Sequence, residues 1–96
     1  MRKQQAEKID NVVHRFLREE GLETPYNEYR LVQAWPEVMG QGIANYTGNL
    51  EIRNRVLYVR LKSSVIRQEL SMNRKVLVQK LNQHVGAQVI ENIIFH

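Results

Sequence analysis

The spacing of apolar residues changes within the segment Val56–Gly86. Across Val56–Leu61 aliphatic residues at positions 57, 59 and 61 alternate with a valine, a tyrosine and an arginine, which is typical of a strand with one buried face. Beyond Ser63 and Ser64 the large apolar residues recur at intervals of four and seven, which is helical spacing. The segment therefore predicts a strand that leads into helical structure over 64–85, with one of the two serines as the helix N-cap.

The centre of that helical stretch is open to two interpretations. Ser71–Asn73 has weak helix propensity, because serine and asparagine side chains compete for backbone hydrogen bonds. One continuous helix would place Arg67 and Arg74 on a common stripe, and a break would separate them. The pattern favours neither.

The first half of the chain has the spacing of helices. Apolar residues at 9, 12, 13, 16 and 17 alternate with polar groups and Gly21 follows, which predicts an amphipathic helix over Gln5–Glu20. We predict a connection over Leu22–Asn27, which contains a Thr-Pro pair. Apolar residues within Tyr29–Trp35 predict a shorter second helix, which Pro36 interrupts or restarts, and Pro36 as the opening residue of the next turn is the alternative.

Two further strands complete the predicted sheet. Leu50 and Ile52 alternate with charged residues and precede Arg53-Asn54-Arg55, which predicts a β-hairpin with Asn54 suited to a positive φ. Thr47-Gly48-Asn49 is predicted to lie before the first strand. Val89–Phe95 is predicted as a last strand, with Ile93 and Phe95 on one face and Ile94 on the other.

These elements predict an α+β fold. The order is helices, β-hairpin, helix or helix pair and final strand, so we expect a three-stranded sheet packed by helices, which is similar to the layout of KH-type folds. Ninety-six residues, of which 43% are hydrophobic and 25% charged, fit one folded domain over 1–96. Residues 1–4 are expected to be flexible.

Charge is distributed unevenly along the chain. The net charge is +4, and residues 50–96 hold eight Lys or Arg against three Asp or Glu, whereas residues 1–49 hold six against seven. Basic side chains beside an exposed aromatic can bind nucleic acid through phosphate contacts and stacking, and an ordinary solvated surface is the alternative. The candidate nucleic-acid-binding residues are Arg53, Arg55, Tyr58, Arg60, Lys62, Arg67, Arg74 and Lys75.

No motif in the sequence predicts a reaction. There is no cysteine, and His14, His84 and His96 lack partners at metal-ligand spacing. Gly40-Gln41-Gly42 lacks the P-loop lysine and the full GxGxxG pattern, so it predicts a turn between helices. We expect a non-enzymatic protein without a metal or cofactor, and His84 as a partly buried helix-end residue.

Location is predicted from two further absences. The polar residues after Met1-Arg2-Lys3 do not form a signal peptide, and no stretch approaches the length of a membrane span. We expect a cytoplasmic protein that does not enter a membrane.

Several segments resemble the DciA-like family over roughly residues 10–96. The similarity lies in the Trp-to-Gly segment Ala34–Gly40 with Ala44 and Thr47, in Leu57-Tyr58-Val59 running into Ser63-Ser64, and in Glu69-Leu70, Leu81-Asn82, Gly86, Val89 and Ile93–Phe95. The resemblance implies a KH-like domain that helps to load the replicative DnaB-type helicase and interacts with DNA, single-stranded or duplex.

Two departures qualify what the resemblance implies. A KH nucleic-acid site uses a GxxG loop, and the matching position, Ser71–Arg74, has no glycine, so contacts to a polyanion are expected from charged side chains. Family members often extend into a flexible basic tail, and this chain is expected to be the short form. A stand-alone DNA- or RNA-binding module and a structural adaptor for another protein are the alternatives. Trp35 is expected to be core support rather than a contact residue, and the sequence does not predict an oligomeric state.

Overall fold

The computed structural model describes the backbone of residues 2–96 and the side chains of residues 11–96. Its elements confirm the α+β class and the three-stranded sheet, whereas the likeness to KH folds stays a prediction. In chain order they are α1 (Arg2–Glu19), α2 (Glu23–Met39), α3 (Gln41–Ala44), β1 (Thr47–Arg53), β2 (Val56–Leu61), α4 (Ser64–Met72), α5 (Arg74–Val85) and β3 (Asn92–Phe95).

Strand β2 lies in the middle of the sheet. It pairs antiparallel with β1, where Glu51 is opposite Tyr58, and parallel with β3, where Tyr58 is opposite Ile94. A parallel pair needs a crossover connection, and α4 and α5 provide it. The segment that the sequence identified as a strand leading into helices is therefore the centre of the sheet together with its crossover.

One face of the sheet carries the hydrophobic core. Leu57, Val59 and Ile93 point to this inner face and are fully buried, in contact with buried residues of α2 and α5. Ile66 and Leu70 of α4 also pack against this core. The helices therefore lie on the inner face, because only there does the strand alternation offer them apolar side chains.

The crossover consists of two helices. The Ile66 N–H donates to Ser63 Oγ at 3.3 Å, so Ser63 is the N-cap of α4. Asn73 ends α4 and begins α5, and its side-chain amide donates to the Glu69 carbonyl at 3.1 Å. An asparagine that bonds the last turn of one helix favours a stop, which decides between the two interpretations and places Arg67 and Arg74 on different helices.

Helix α2 corrects the prediction for residues 22–36. It begins at Glu23, so the predicted connection over 22–27 is wrong, because Pro25 lies in the first turn where its missing N–H has no intrahelical partner to lose. Pro36 lies inside the helix without interrupting it. Only three residues follow it, and the Gly40 N–H donates to the Pro36 carbonyl at 2.8 Å and closes the last turn.

Other boundaries differ by a few residues. Helix α1 begins at Arg2 rather than residue 5, and Met1 lies outside the described residues, so the flexibility expected of residues 1–4 stays a prediction. Strand β1 already begins at Thr47, although Thr47–Asn49 was predicted to precede it. Strand β3 begins only at Asn92, and Val89 and Ile90 are buried in the connection before it. The predicted faces of Ile93 and Ile94 are confirmed.

Trp35 is part of the core, as expected. Its ring is buried, and its Nε1–H donates to Thr47 Oγ1 at 3.0 Å, while the Thr47 hydroxyl donates to the Ile43 carbonyl at 2.9 Å. Gly40, with a φ of 87°, makes the turn between α2 and α3. This chain of bonds joins α2, α3 and β1, and explains why a threonine stands at the start of the sheet.

Asn82 is the one buried polar or charged residue among the side chains that the structure describes. Its Oδ1 accepts from the Val89 and Ile90 N–H groups at 3.0 and 3.1 Å, and its Nδ2 donates to the Ile90 carbonyl at 2.8 Å. Gly86 turns the chain back toward it in the left-handed conformation, with a φ of 82°. We call residues 86–91, held in this way, the α5–β3 connection.

Replacing Asn82 by alanine tests the importance of this connection. We expect Asn82→Ala to lower the free energy of unfolding by about 3 kcal/mol, because it leaves the Ile90 N–H and carbonyl without partners in a buried position, whereas the Val89 N–H keeps its bond to the Ala87 carbonyl. Urea denaturation measures the change. The control Gln79→Ala, on the exposed side of the same helix, should change stability by less than about 0.5 kcal/mol. Equal effects of the two substitutions would contradict the assignment.

Candidate nucleic-acid interface

The face of the sheet opposite the core is open. Side chains alternate along a strand, so Tyr58, Arg60 and Ile94 point away from the helices that cover Leu57, Val59 and Ile93. Tyr58 is half-buried among its strand neighbours, and Arg60 and Ile94 are exposed. The outer sheet face comprises Glu51, Arg53, Val56, Tyr58, Arg60, Asn92 and Ile94, and exposed Lys62 follows the end of β2.

Arg53 and Tyr58 are stacked on this face. The Arg53 guanidinium carbon lies 4.4 Å from the centre of the Tyr58 ring, and Arg53 Nε lies 3.3 Å from Glu51 Oε1. A cation–π contact at an exposed site contributes about 0.5–1 kcal/mol. Glu51 and Tyr58 together hold the arginine in place, so the outward surface at this point is a planar guanidinium rather than the bare ring. Both groups can stack on a nucleic-acid base.

The side chain of Arg60 packs against the backbone of β1. Its aliphatic stem runs over Gly48 of β1, where an added Cβ would stand 3.6 Å from Arg60 Cβ and Cγ. Because Gly48 on the edge strand has no side chain, the aliphatic stem of Arg60 can lie along the sheet while its guanidinium stays in solvent. Exposed Lys62 lies two residues further along the chain, directly after the end of β2. These two residues form a short basic row.

Arg55 has a structural contact. It forms the two-residue hairpin turn with Asn54, at φ values of 65° and 51°, which is the type I′ geometry that fits the twist of the strands. Its Nη2 donates to the Gln88 carbonyl at 3.1 Å, and its own carbonyl accepts from the Glu91 N–H at 2.8 Å. Arg55 therefore fastens the hairpin tip to the α5–β3 connection, which the sequence did not indicate.

The remaining basic candidates lie on the helices. Arg67 is half-buried in the first half of α4, and Arg74 and Lys75 open α5 at the break between the two helices. Arg74, Lys75, Met72 and Val76 line a cleft of about 200 Å³ there. The structure thus divides the eight predicted residues into five around the hairpin and β2 and three on the crossover helices, which pack on the inner face.

The histidines form no catalytic arrangement within the described part of the chain. His84 Nε2 lies 3.1 Å from Glu37 Oε2 and so links α5 to α2. The side chain is 43% exposed and lies in the last turn of α5, which agrees with the prediction of a partly buried helix-end histidine, and it stands at the edge of the stripe formed by Leu77, Leu81 and Val85. Among residues 11–96 no three His, Asp or Glu side chains are grouped as a metal site would need.

Between Arg2 and Phe95 no helix combines the length and the apolar character that crossing a bilayer requires.

Two substitutions at Arg55 separate its contact from its backbone conformation. Both Arg55→Ala and Arg55→Gly remove the bond to Gln88, but only glycine adopts a positive φ without a steric cost. We therefore expect the glycine variant to be more stable than the alanine variant by about 1 kcal/mol in urea denaturation. At Arg60, an exposed strand residue without a positive φ, the pair Arg60→Ala and Arg60→Gly should show the opposite order, because glycine weakens a strand. Equal stability of the two Arg55 variants would contradict the turn geometry.

The residues on which the family resemblance rests mostly have structural contacts. Trp35, Thr47, Ser63 and Asn82 each make a hydrogen bond that joins elements or caps a helix. A comparison with curated proteins gives no match. A family model described as "Dna[CI] antecedent, DciA" matches residues 8–95, from within α1 to the end of β3. Because the match spans nearly the whole chain, this protein belongs to the DciA family.

Proposed function

We propose that this chain is a DciA-type accessory factor that contacts the replicative DnaB-type helicase, helps to load it, and binds single-stranded nucleic acid through the outer sheet face. The family match over residues 8–95 is the observation that carries the first part. The open, basic and aromatic face of the sheet supports the second part. The role is one of binding, and no reaction is assigned to the chain.

The charges of the outer sheet face suit a polyanion. Arg53, Arg60 and Lys62 supply three positive charges, against one carboxylate from Glu51. Glu51 is paired with Arg53, so Arg60 and Lys62 are the two that phosphates would meet first. Phosphate contacts release counterions, and the affinity they provide falls with salt.

The shape of the face favours a single strand over a duplex. Three strands at a spacing of about 4.8 Å give a nearly flat surface about 10 Å wide, without a helix or ribbon that could enter a major groove. A single strand presents unpaired bases, which stack on aromatic and guanidinium planes. The Arg53–Tyr58 stack offers such a plane beside the basic row of Arg60 and Lys62.

Two matched triple variants test the location of the binding site. Arg53→Ala/Arg60→Ala/Lys62→Ala and Arg67→Ala/Arg74→Ala/Lys75→Ala each remove two arginines and one lysine, so their net charges are equal. On single-stranded DNA the first variant should lose about 1.4 from the slope of log affinity against log salt, because Arg60 and Lys62 supply two phosphate contacts at about 0.7 each. The second should keep the parent slope. Anisotropy titrations of a labelled oligonucleotide at several salt concentrations give both slopes.

Two outcomes of these titrations would contradict binding through the outer sheet face. If only the helix variant lost affinity, the site would lie at the break between α4 and α5 and the assignment to the sheet would be wrong. If the parent preferred duplex DNA, stacking on the outer face would not be the mode of binding. RNA of the same length, titrated in parallel, shows whether the protein distinguishes the two sugars.

Association with the helicase is tested directly. We expect the chain to bind the purified DnaB-type helicase of the same cell at micromolar concentration, in a co-sedimentation measurement with and without single-stranded DNA. A hexameric helicase of another family is the control and should not bind. Absence of association under both conditions would contradict a role in loading, and salt-dependent DNA binding without it would favour a stand-alone nucleic-acid-binding module.

A further inference from the structure

Helix α1 exposes apolar side chains that nothing in the described chain covers. Val12, Val13 and Phe16 are 53%, 46% and 55% exposed, and they lie on neighbouring positions of one helical face. Leu17, at the edge of this face toward α2, is half-buried. We call Val12, Val13 and Phe16 the α1 stripe.

The shape of the molecule points to a missing neighbour. Its radius of gyration is 15.5 Å and its extents are 50 × 28 × 20 Å, whereas a compact chain of this length has a radius of about 12.5 Å. The accessible surface is 7103 Å², and a compact monomer of this mass exposes about 5,700 Å². Helix α1, about 27 Å long and attached to the rest mainly by contacts with α2, makes the molecule elongated.

We propose that two copies of this chain associate by pairing their α1 stripes. The surplus surface of about 1,400 Å² is larger than the roughly 800 Å² that each partner buries in a stable complex, so one such contact would cover more than half of it. A two-fold axis places the same stripe on both partners. The inference does not depend on the proposed function.

The charges beside the stripe favour a second copy over a polyanion. Beside the stripe, Arg15 and Arg18 are balanced by Glu19 at the end of α1 and by Glu20 directly after it, so two identical surfaces meet there without a net repulsion. The outer sheet face is predominantly positive, and two copies meeting there would repel each other. If the two α1 helices pair antiparallel, their helix dipoles oppose each other. The sheets of the two copies then lie at opposite ends of the dimer.

The mass of the chain in solution tests this pairing. We expect sedimentation equilibrium of the full chain to give a concentration-dependent dimer. Val12→Glu/Phe16→Glu should weaken that dimer by roughly 100-fold, because it places two carboxylates in the centre of an apolar contact. The matched control Val65→Glu/Met72→Glu changes a valine and a second large apolar residue on α4, 66% and 79% exposed, and should dimerise as the parent does. Circular dichroism verifies that both variants fold.

Three results would overturn the pairing. One is a parent chain that stays monomeric at high micromolar concentration. Another is a dimer that Val12→Glu/Phe16→Glu leaves intact, which would place the contact on another face. The third is a monomeric parent whose binding to the helicase is lost with Val12→Glu/Phe16→Glu and kept with Val65→Glu/Met72→Glu, which would assign the stripe to the helicase instead of a second copy.

Discussion

The hydrogen bonds of Asn82 are the constraint on which the rest of the structure depends. A parallel strand cannot follow β2 directly, so the chain must leave the sheet, cross over through α4 and α5 and return in register. The return runs through a connection in which Val89 and Ile90 are buried and their backbone groups need partners, and one asparagine side chain supplies three of them. These bonds fix the chain directly before β3, and so fix Ile93 in the core and Ile94 beside Tyr58.

The same connection reaches the candidate interface through Arg55. The guanidinium bonds the Gln88 carbonyl while the Arg55 carbonyl accepts from Glu91, so the hairpin tip and the α5–β3 connection hold each other. Arg53 is the residue before this turn, and its position over Tyr58 depends on the register that the turn sets. The stability of the fold and the geometry of the outer sheet face are therefore coupled, and a loss of nucleic-acid affinity in an Arg55 variant would have a structural cause.

Local signals predicted much of the fold. The alternation in β2, the cap at Ser63 and the stop at Gly86 each rest on a few neighbouring residues, and all three are present. The predicted interruption at Pro36 was wrong, because α2 continues through the proline to Met39 and gives up only the hydrogen bond that the missing N–H would make. The site was predictable only as a set of charges. Its division between the sheet and the crossover helices follows from strand register and chain crossover, which no local pattern contains.

The residues that carry the family resemblance and those of the outer sheet face overlap only at Tyr58 and Ile94. Trp35, Thr47, Ser63 and Asn82 build the fold, whereas the outer sheet face and the α1 stripe are surfaces that the fold leaves open. Because these two surfaces lie on different elements, pairing through α1 would leave both sheet faces of a dimer free. Two linked faces raise the effective concentration of the second site once the first is bound. Modest contacts such as Arg60, Lys62 and the Arg53–Tyr58 stack would then suffice for a stable complex with a strand long enough to reach both.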